Sequence, residues 1–202
     1  MDNFVDTCVI FDNFDEKSKL HLASKKFVES KKNIIISEYQ KIKEIPYLFF
    51  RLKMRSKVVV SKALMPSKDI PEIKKLNFRD RQEVKEILSE YALGLKTIKD
   101  LFDMKKEVFL LEKKLNIFIE TKIKRLVTPI KNINIQLAKD IKNFNKNEQD
   151  SMVIASAIEE HQKADILLAT SDKKDWKQMY ITKSCQKNFY KKIPEVKFIQ
   201  DL

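Results

Sequence analysis

Two short runs constrain this chain more than any other feature: Ile34–Ile36 inside NIIIS, and the apolar core of DILLAT near the C-terminal end. Three consecutive β-branched residues, with no polar alternation, suit a strand covered on both faces, and that is the environment of a parallel sheet. The segments around these runs keep a helical period instead. NFVDTCVIF begins as a strand over Asn3–Val5 that breaks at Asp6-Thr7, and Leu20, Ala23 or Ser24, Phe27 and Val28 then predict a helix over residues 15–31. Ser37 suits the N-cap of SEYQKIKEI, whose Tyr39, Ile42 and Ile45 keep the period. Towards the end, the pattern predicts a helix over 149–162, a strand over 165–170, a helix from about residue 173 and a last strand over Val196–Ile199. Short strands alternating with helices define an α/β fold, a three-layer sandwich with a central parallel sheet flanked by helices.

The middle of the chain reads differently. From about Phe49 to Asn147 the one candidate strand is KVVVS, Lys57–Ser61. Pro66 and Pro71 punctuate a loop, after which Val84, Ile87, Leu88, Tyr91, Leu95, Ile98, Leu101 and Phe102 form one stripe. The stripe describes a long amphipathic helix or a helical hairpin, with Gly94, the single glycine, inside it. A further helix follows Pro129, and NFNKNEQ reads as a polar loop leading to Asp150. The expectation is one domain over 1–202, carrying a helical insertion at about 60–145.

Composition narrows the function classes. No apolar run approaches the roughly 18–20 residues of a membrane span, and the first residues carry no basic leader, which argues for a cytoplasmic protein without a membrane partner. Cys8 and Cys185 are too few for a disulfide framework and lack metal-site spacing. The formal charge of +12 would attract a phosphate polyanion, although nearly all of its cations are lysines, as in any solvated lysine-rich surface.

Three carboxylates then fall at corresponding places. Asp6 follows the first strand, Asp150 opens a helix on the side of Val153, Ile154 and Ala157, and Asp172 follows DILLAT. In an open parallel sheet these places share the carboxyl edge, where ligands bind. Each acid alone has a plain structural role as a turn, cap or Asx-turn residue. Together they crowd negative charge, which a hard divalent cation such as Mg²⁺ or Mn²⁺ relieves with oxygen ligands. Such a cation lowers the pKa of water and offsets charge on a phosphate, so the set suits phosphodiester hydrolysis.

The quoted segments also resemble a known family. FVDTCVIFD, DSMVIASAIEEH and ILLATSDKKDW look like a PIN domain, the nuclease fold of VapC-type toxins. The match lies in Asp6-Thr7 after the first strand, in Asp150 with Ala157 seven positions on, and in Thr170-x-Asp172 followed by Asp175-Trp176. It spans about the first 50 and last 55 residues and leaves the helical middle unexplained. The resemblance implies a metal-dependent endoribonuclease in which Asp6, Glu44, Asp150 and Asp172 hold Mg²⁺ or Mn²⁺. Glu44 is preferred to Glu38 because Ile45, Leu48 and Phe49 follow it at helical spacing; Asp175 is a helper. Pro46 and Cys8 depart from the family pattern, and Cys8, standing where Asn or Ser is usual, threatens a hydrogen bond to Asp6. The implied partners are an RNA substrate, an antitoxin if the chain is a toxin, and a second copy if it dimerises. The competing expectation is an inactive PIN module that binds RNA or a protein. A haloacid-type phosphatase is disfavoured, because Cys8 occupies its second Asp position.

Overall fold

A computed structural model describes residues 1–201, which form five strands and eight α-helices. The chain folds as two compact units: Met1–Ile45 with Leu115–Leu202, and Pro46–Lys114.

The first unit is built on the sheet. Strands β1 (Asp2–Val5), β2 (Ile34–Ser37), β3 (Ile123–Val127), β4 (Ile166–Thr170) and β5 (Val196–Phe198) lie in the order β3-β2-β1-β4-β5, all parallel. The α/β class with a parallel sheet is therefore as the short apolar runs require. Pleating sends alternate residues to opposite faces. Phe4, Ile35, Ile166, Leu168 and Val196 pack on helices α6 (Ile135–Asn145), α7 (Glu148–Lys163) and α8 (Gln178–Lys187), together with Trp176. Val5, Ile34, Ile36 and Ala169 alternate with them and are equally buried. Helix α1 (Thr7–Asp12) packs against β4 and against α2 (His21–Ser30). Each fully covered Ile or Leu contributes about 1.5–3 kcal/mol of transfer free energy, so both faces hold the sheet.

Chain order makes β1 special. From β1 the chain passes to β2 and β3 on one side, and β4 and β5 lie on the other. The carboxyl end of β1 is thus the topological switch point, where an open α/β sheet leaves a crevice.

Several expectations are corrected here. IKRL, in a stretch where only KVVVS reads as a strand, is strand β3: Lys124 and Leu126 are exposed, as on an edge, and Lys124 and Arg125 reach Asp2 at 3.0 and 3.1 Å. The expected helix over 15–31 is shorter, and a separate α1 begins directly at Thr7. The last helix begins at Gln178 rather than about residue 173, because Asp172 makes an Asx-turn there. Pro129 precedes only a 3-10 turn, Ile130–Asn132; Asn134 caps α6 instead, accepting from Leu137 N. The NFNKNEQ segment is mostly helical, since α6 runs to Asn145 and α7 starts at Glu148. Lys146 makes that tight reversal with a left-handed φ of 62°.

The second unit is helical. Helix α3 (Ile45–Leu64) is followed by α4 (Phe78–Ala92) and α5 (Ile98–Thr121), so the hairpin alternative is the one realised. Gly94 lies in its turn with a φ of 73°, a conformation that disfavours any side chain. The candidate strand KVVVS is instead helix. Val58, Val59 and Val60 are buried with Ile70, Leu76, Val84 and Leu101, and this packing outweighs β-branched propensity. Arg51 clamps the buried Asp80 with two bonds of 2.8 Å.

Candidate metal centre

The site grows from the carboxyl ends of β1, β2 and β4. Asp6 continues the β1 ladder, its N–H donating to Ala169 O at 2.9 Å, and it stands at the N-cap of α1. Its carboxylate makes no capping bond. Oδ2 instead accepts from Thr170 Oγ1 at 2.8 Å and from Cys8 Sγ. The hydrogen bond that Cys8 was expected to forfeit is therefore made by the thiol. That thiol is held well above its ordinary pKa, by burial and then by the charge of Asp6, so it remains a donor.

After β2 the sequence Ser37-x-x-Gln40 forms a capping box. Ser37 Oγ accepts from Gln40 N at 3.1 Å, and Ser37 N donates to Gln40 Oε1 at 2.8 Å. The helix that follows widens into a π-turn over Gln40–Glu44 before Pro46, whose missing N–H a regular α-turn would have required. This wide turn resets the helical face. Ile42, expected inside, is half exposed, whereas Gln40 and Glu44 are buried. Glu44 Oε2 accepts from Thr7 Oγ1 at 2.5 Å. Glu38, the rejected alternative, is committed elsewhere, its Oε2 accepting from Ile130 N at 2.6 Å.

Helix α7 supplies the third acid. Its cap is Asn147, whose Oδ1 accepts from Gln149 N and Asp150 N, so Asp150 lies in the first turn rather than opening the helix. There the positive end of the helix faces its carboxylate. Asn147 Nδ2 also donates to Asp150 Oδ2 at 2.7 Å and to Asp175 Oδ2 at 3.1 Å.

Asp6, Glu44 and Asp150 converge, each offering a carboxylate oxygen within 4.8 Å of the others. Asp172 stands outside this triad. It joins Asp150 and Asp175 in a second group with the same spacing, and its Oδ1 accepts from Lys174 N at 2.7 Å and from Asp175 N at 3.0 Å. Asp175 is buried, and its Oδ1 accepts no hydrogen bond among the described residues. His161 serves structure: its Nδ1 accepts from Ile166 N, joining α7 to β4. Lys173 reaches Asp201 at 2.9 Å and lies over Phe198.

The triad is electrostatically unbalanced. Among the described residues no Lys, Arg or His forms an ion pair with any of its members. Burial, and then the neighbouring acids, push Glu44 up to about 8 and Asp150 up to about 9. Asp6 rises less, to about 6: burial raises it, the Cys8 and Thr170 bonds lower it, and Asp172 raises it again. Three carboxylates held together without a cation fit a hard divalent ion, which takes several oxygen ligands and prefers them to thiol. Gln40 and Asn147 adjoin the cluster, and periodicity does not single them out. Their signals were the Ser-x-x-Gln box and an Asn three residues before Asp150.

Fold and site together define an α/β protein with an acidic, cation-ready cluster at the switch point of a parallel sheet. Comparison with family models, curated proteins and solved structures returns no match.

Proposed function

We propose that the chain is a divalent-cation-dependent endoribonuclease of the PIN type. The observation that carries this reading is the convergence of Asp6, Glu44 and Asp150 within 4.8 Å, the first two buried and the third half-buried, without a paired cation among the described residues. Asp6, Glu44 and Asp150 would hold Mg²⁺ or Mn²⁺, and Asp172 would face the same ion or its substrate from the end of β4. A bound divalent cation supplies the acidity that activates water and the charge that steadies a phosphate in displacement. The chain's own residues prepare this. Thr170 and Cys8 orient Asp6, Thr7 orients Glu44, and Asn147 bridges Asp150 and Asp175 at the head of α7. The formal charge of +12 favours a phosphate polyanion as the substrate.

Incubating the purified chain with single-stranded and structured RNAs and Mn²⁺ tests the reading. Cleavage should require the cation, stop with EDTA, and fall by roughly a hundredfold or more in Asp6→Asn and Asp150→Asn. Wild-type protein that binds Mn²⁺ yet leaves every RNA intact would point instead to the inactive binding module. Undiminished cleavage by Asp150→Asn would sink the assignment of the site.

A further inference from the structure

Gln40 is wholly buried, lies one helical turn before Glu44, and spends every polar atom of its side chain. Its amide orientation follows from its backbone partners. Oε1 sits 2.8 Å from Ser37 N, which can only donate, and Nε2 sits 2.9 Å from Val5 O, which can only accept. The same Nε2 lies 3.2 Å from Thr7 Oγ1 and must donate to it. A hydroxyl has one proton. With Gln40 donating to it, Thr7 must direct that proton away, and it goes to Glu44 Oε2 at 2.5 Å. Donation therefore runs one way along a buried line, from Ser37 N to Gln40, from Gln40 to Thr7 and from Thr7 to Glu44. The line ties together the ends of β1 and β2. It engages one oxygen of Glu44, Oε2, and leaves Oε1 without a bond from this line.

We propose that Gln40, acting through Thr7, is the positioning residue that fixes which oxygen Glu44 presents to a divalent cation; this rests on the cation-binding reading of the triad. The amide is needed for its polarity of donation. Without it, nothing obliges the Thr7 hydroxyl to direct its proton at Glu44, and Glu44 loses the donor that holds its rotamer.

Mn²⁺ binding, followed by electron paramagnetic resonance of the free ion, tests this without relying on catalysis. Gln40→Met and Thr7→Val should each weaken Mn²⁺ about tenfold, the usual range for an outer hydrogen bond to a metal ligand. Thr7→Ser, which keeps the hydroxyl, should bind within about twofold of wild type. The double variant Gln40→Met/Thr7→Val should be no weaker than Thr7→Val alone, because both changes break one line. Gln40→Met binding like wild type would overturn the proposal, and so would a double variant weakened by the product of the two single effects. If Gln40→Met fails to fold, as its melting curve would show, the Ser and Val variants of Thr7 decide: equal weakening by both overturns the line. Wild-type binding of Mn²⁺ without RNA cleavage would refute the nuclease reading and leave this one standing. A wild type that takes up no Mn²⁺ would overturn both.

Discussion

At the scale of single residues, the cluster opposes its own fold. Asp150 is pushed up by burial and by Asp6, Glu44 and Asp175, so its charge is costly wherever no cation offsets it. Asp150→Asn should therefore stabilise the EDTA-treated protein, by on the order of 1 kcal/mol at about pH 8, while removing Mn²⁺ binding. Paired melting curves and Mn²⁺ titrations would check this, and a destabilised variant would show that the Asn147 bond outweighs the repulsion. The thiols allow a second test. Burial and Asp6 hold Cys8 far above the ordinary thiol range, and burial pushes Cys185 up to about 11. Both should alkylate slowly with iodoacetamide in the native protein and rapidly once it is unfolded. Fast native labelling of Cys8 would mean that its proton is not committed to Asp6.

At the scale of elements, turns carry the strain. Lys146 ends α6 in the left-handed region, where an L side chain costs roughly 1–2 kcal/mol. Lys146→Gly should raise stability by about 0.5–1 kcal/mol, reduced from that cost by the entropy glycine adds to the unfolded chain. Gly94 gives the converse. A Cβ there would meet nothing within 4 Å, yet φ is 73°, so Gly94→Ala should still cost about 1 kcal/mol. Urea denaturation of the two variants separates backbone strain from packing, since neither change alters a core contact. The π-turn before Glu44 belongs to this scale as well. By widening the helix over Gln40–Glu44 it turns Gln40 and Glu44 inward and Ile42 outward, while Tyr39 and Ile45 keep the inward face that the period of SEYQKIKEI predicts.

For the whole molecule, stability should depend on pH and on cation together. Asp6, Glu44 and Asp150 all hold their protons more tightly folded than unfolded, near 6, 8 and 9 against 3.8 and 4.5 for ordinary Asp and Glu. The sign follows from linkage: their favourable contribution is complete below about pH 4 and is lost as pH rises through those folded values. The melting temperature in EDTA should thus fall between about pH 5 and pH 9. A divalent cation takes the place of the protons, so added Mn²⁺ should stabilise little at the acid end and progressively more towards the alkaline end. A melting temperature that ignores Mn²⁺ across that range would contradict the cluster's proposed role.

The sequence by itself determined the α/β class, since NIIIS and DILLAT carry too many consecutive apolar residues for strands that face water on one side. It also placed Asp6, Asp150 and Asp172 at strand or helix ends, because a break in hydrophobic period is a local signal. Strand β3 escaped notice because an edge strand has little buried surface, and its Lys124 and Arg125 resemble a polar helix face. KVVVS misled for the opposite reason, as burial among Ile70, Leu76 and Val84 made a helix of residues with strand propensity. Helical spacing favoured Glu44 over Glu38, and the tertiary structure brings Glu44 to Asp6 and Asp150; it alone decided that Asp172 sits with Asp150 and Asp175. It alone revealed the line from Gln40 through Thr7. Those outcomes depend on which side chains meet across β1, β2 and β4, and contacts between residues distant in the chain leave no period in the sequence.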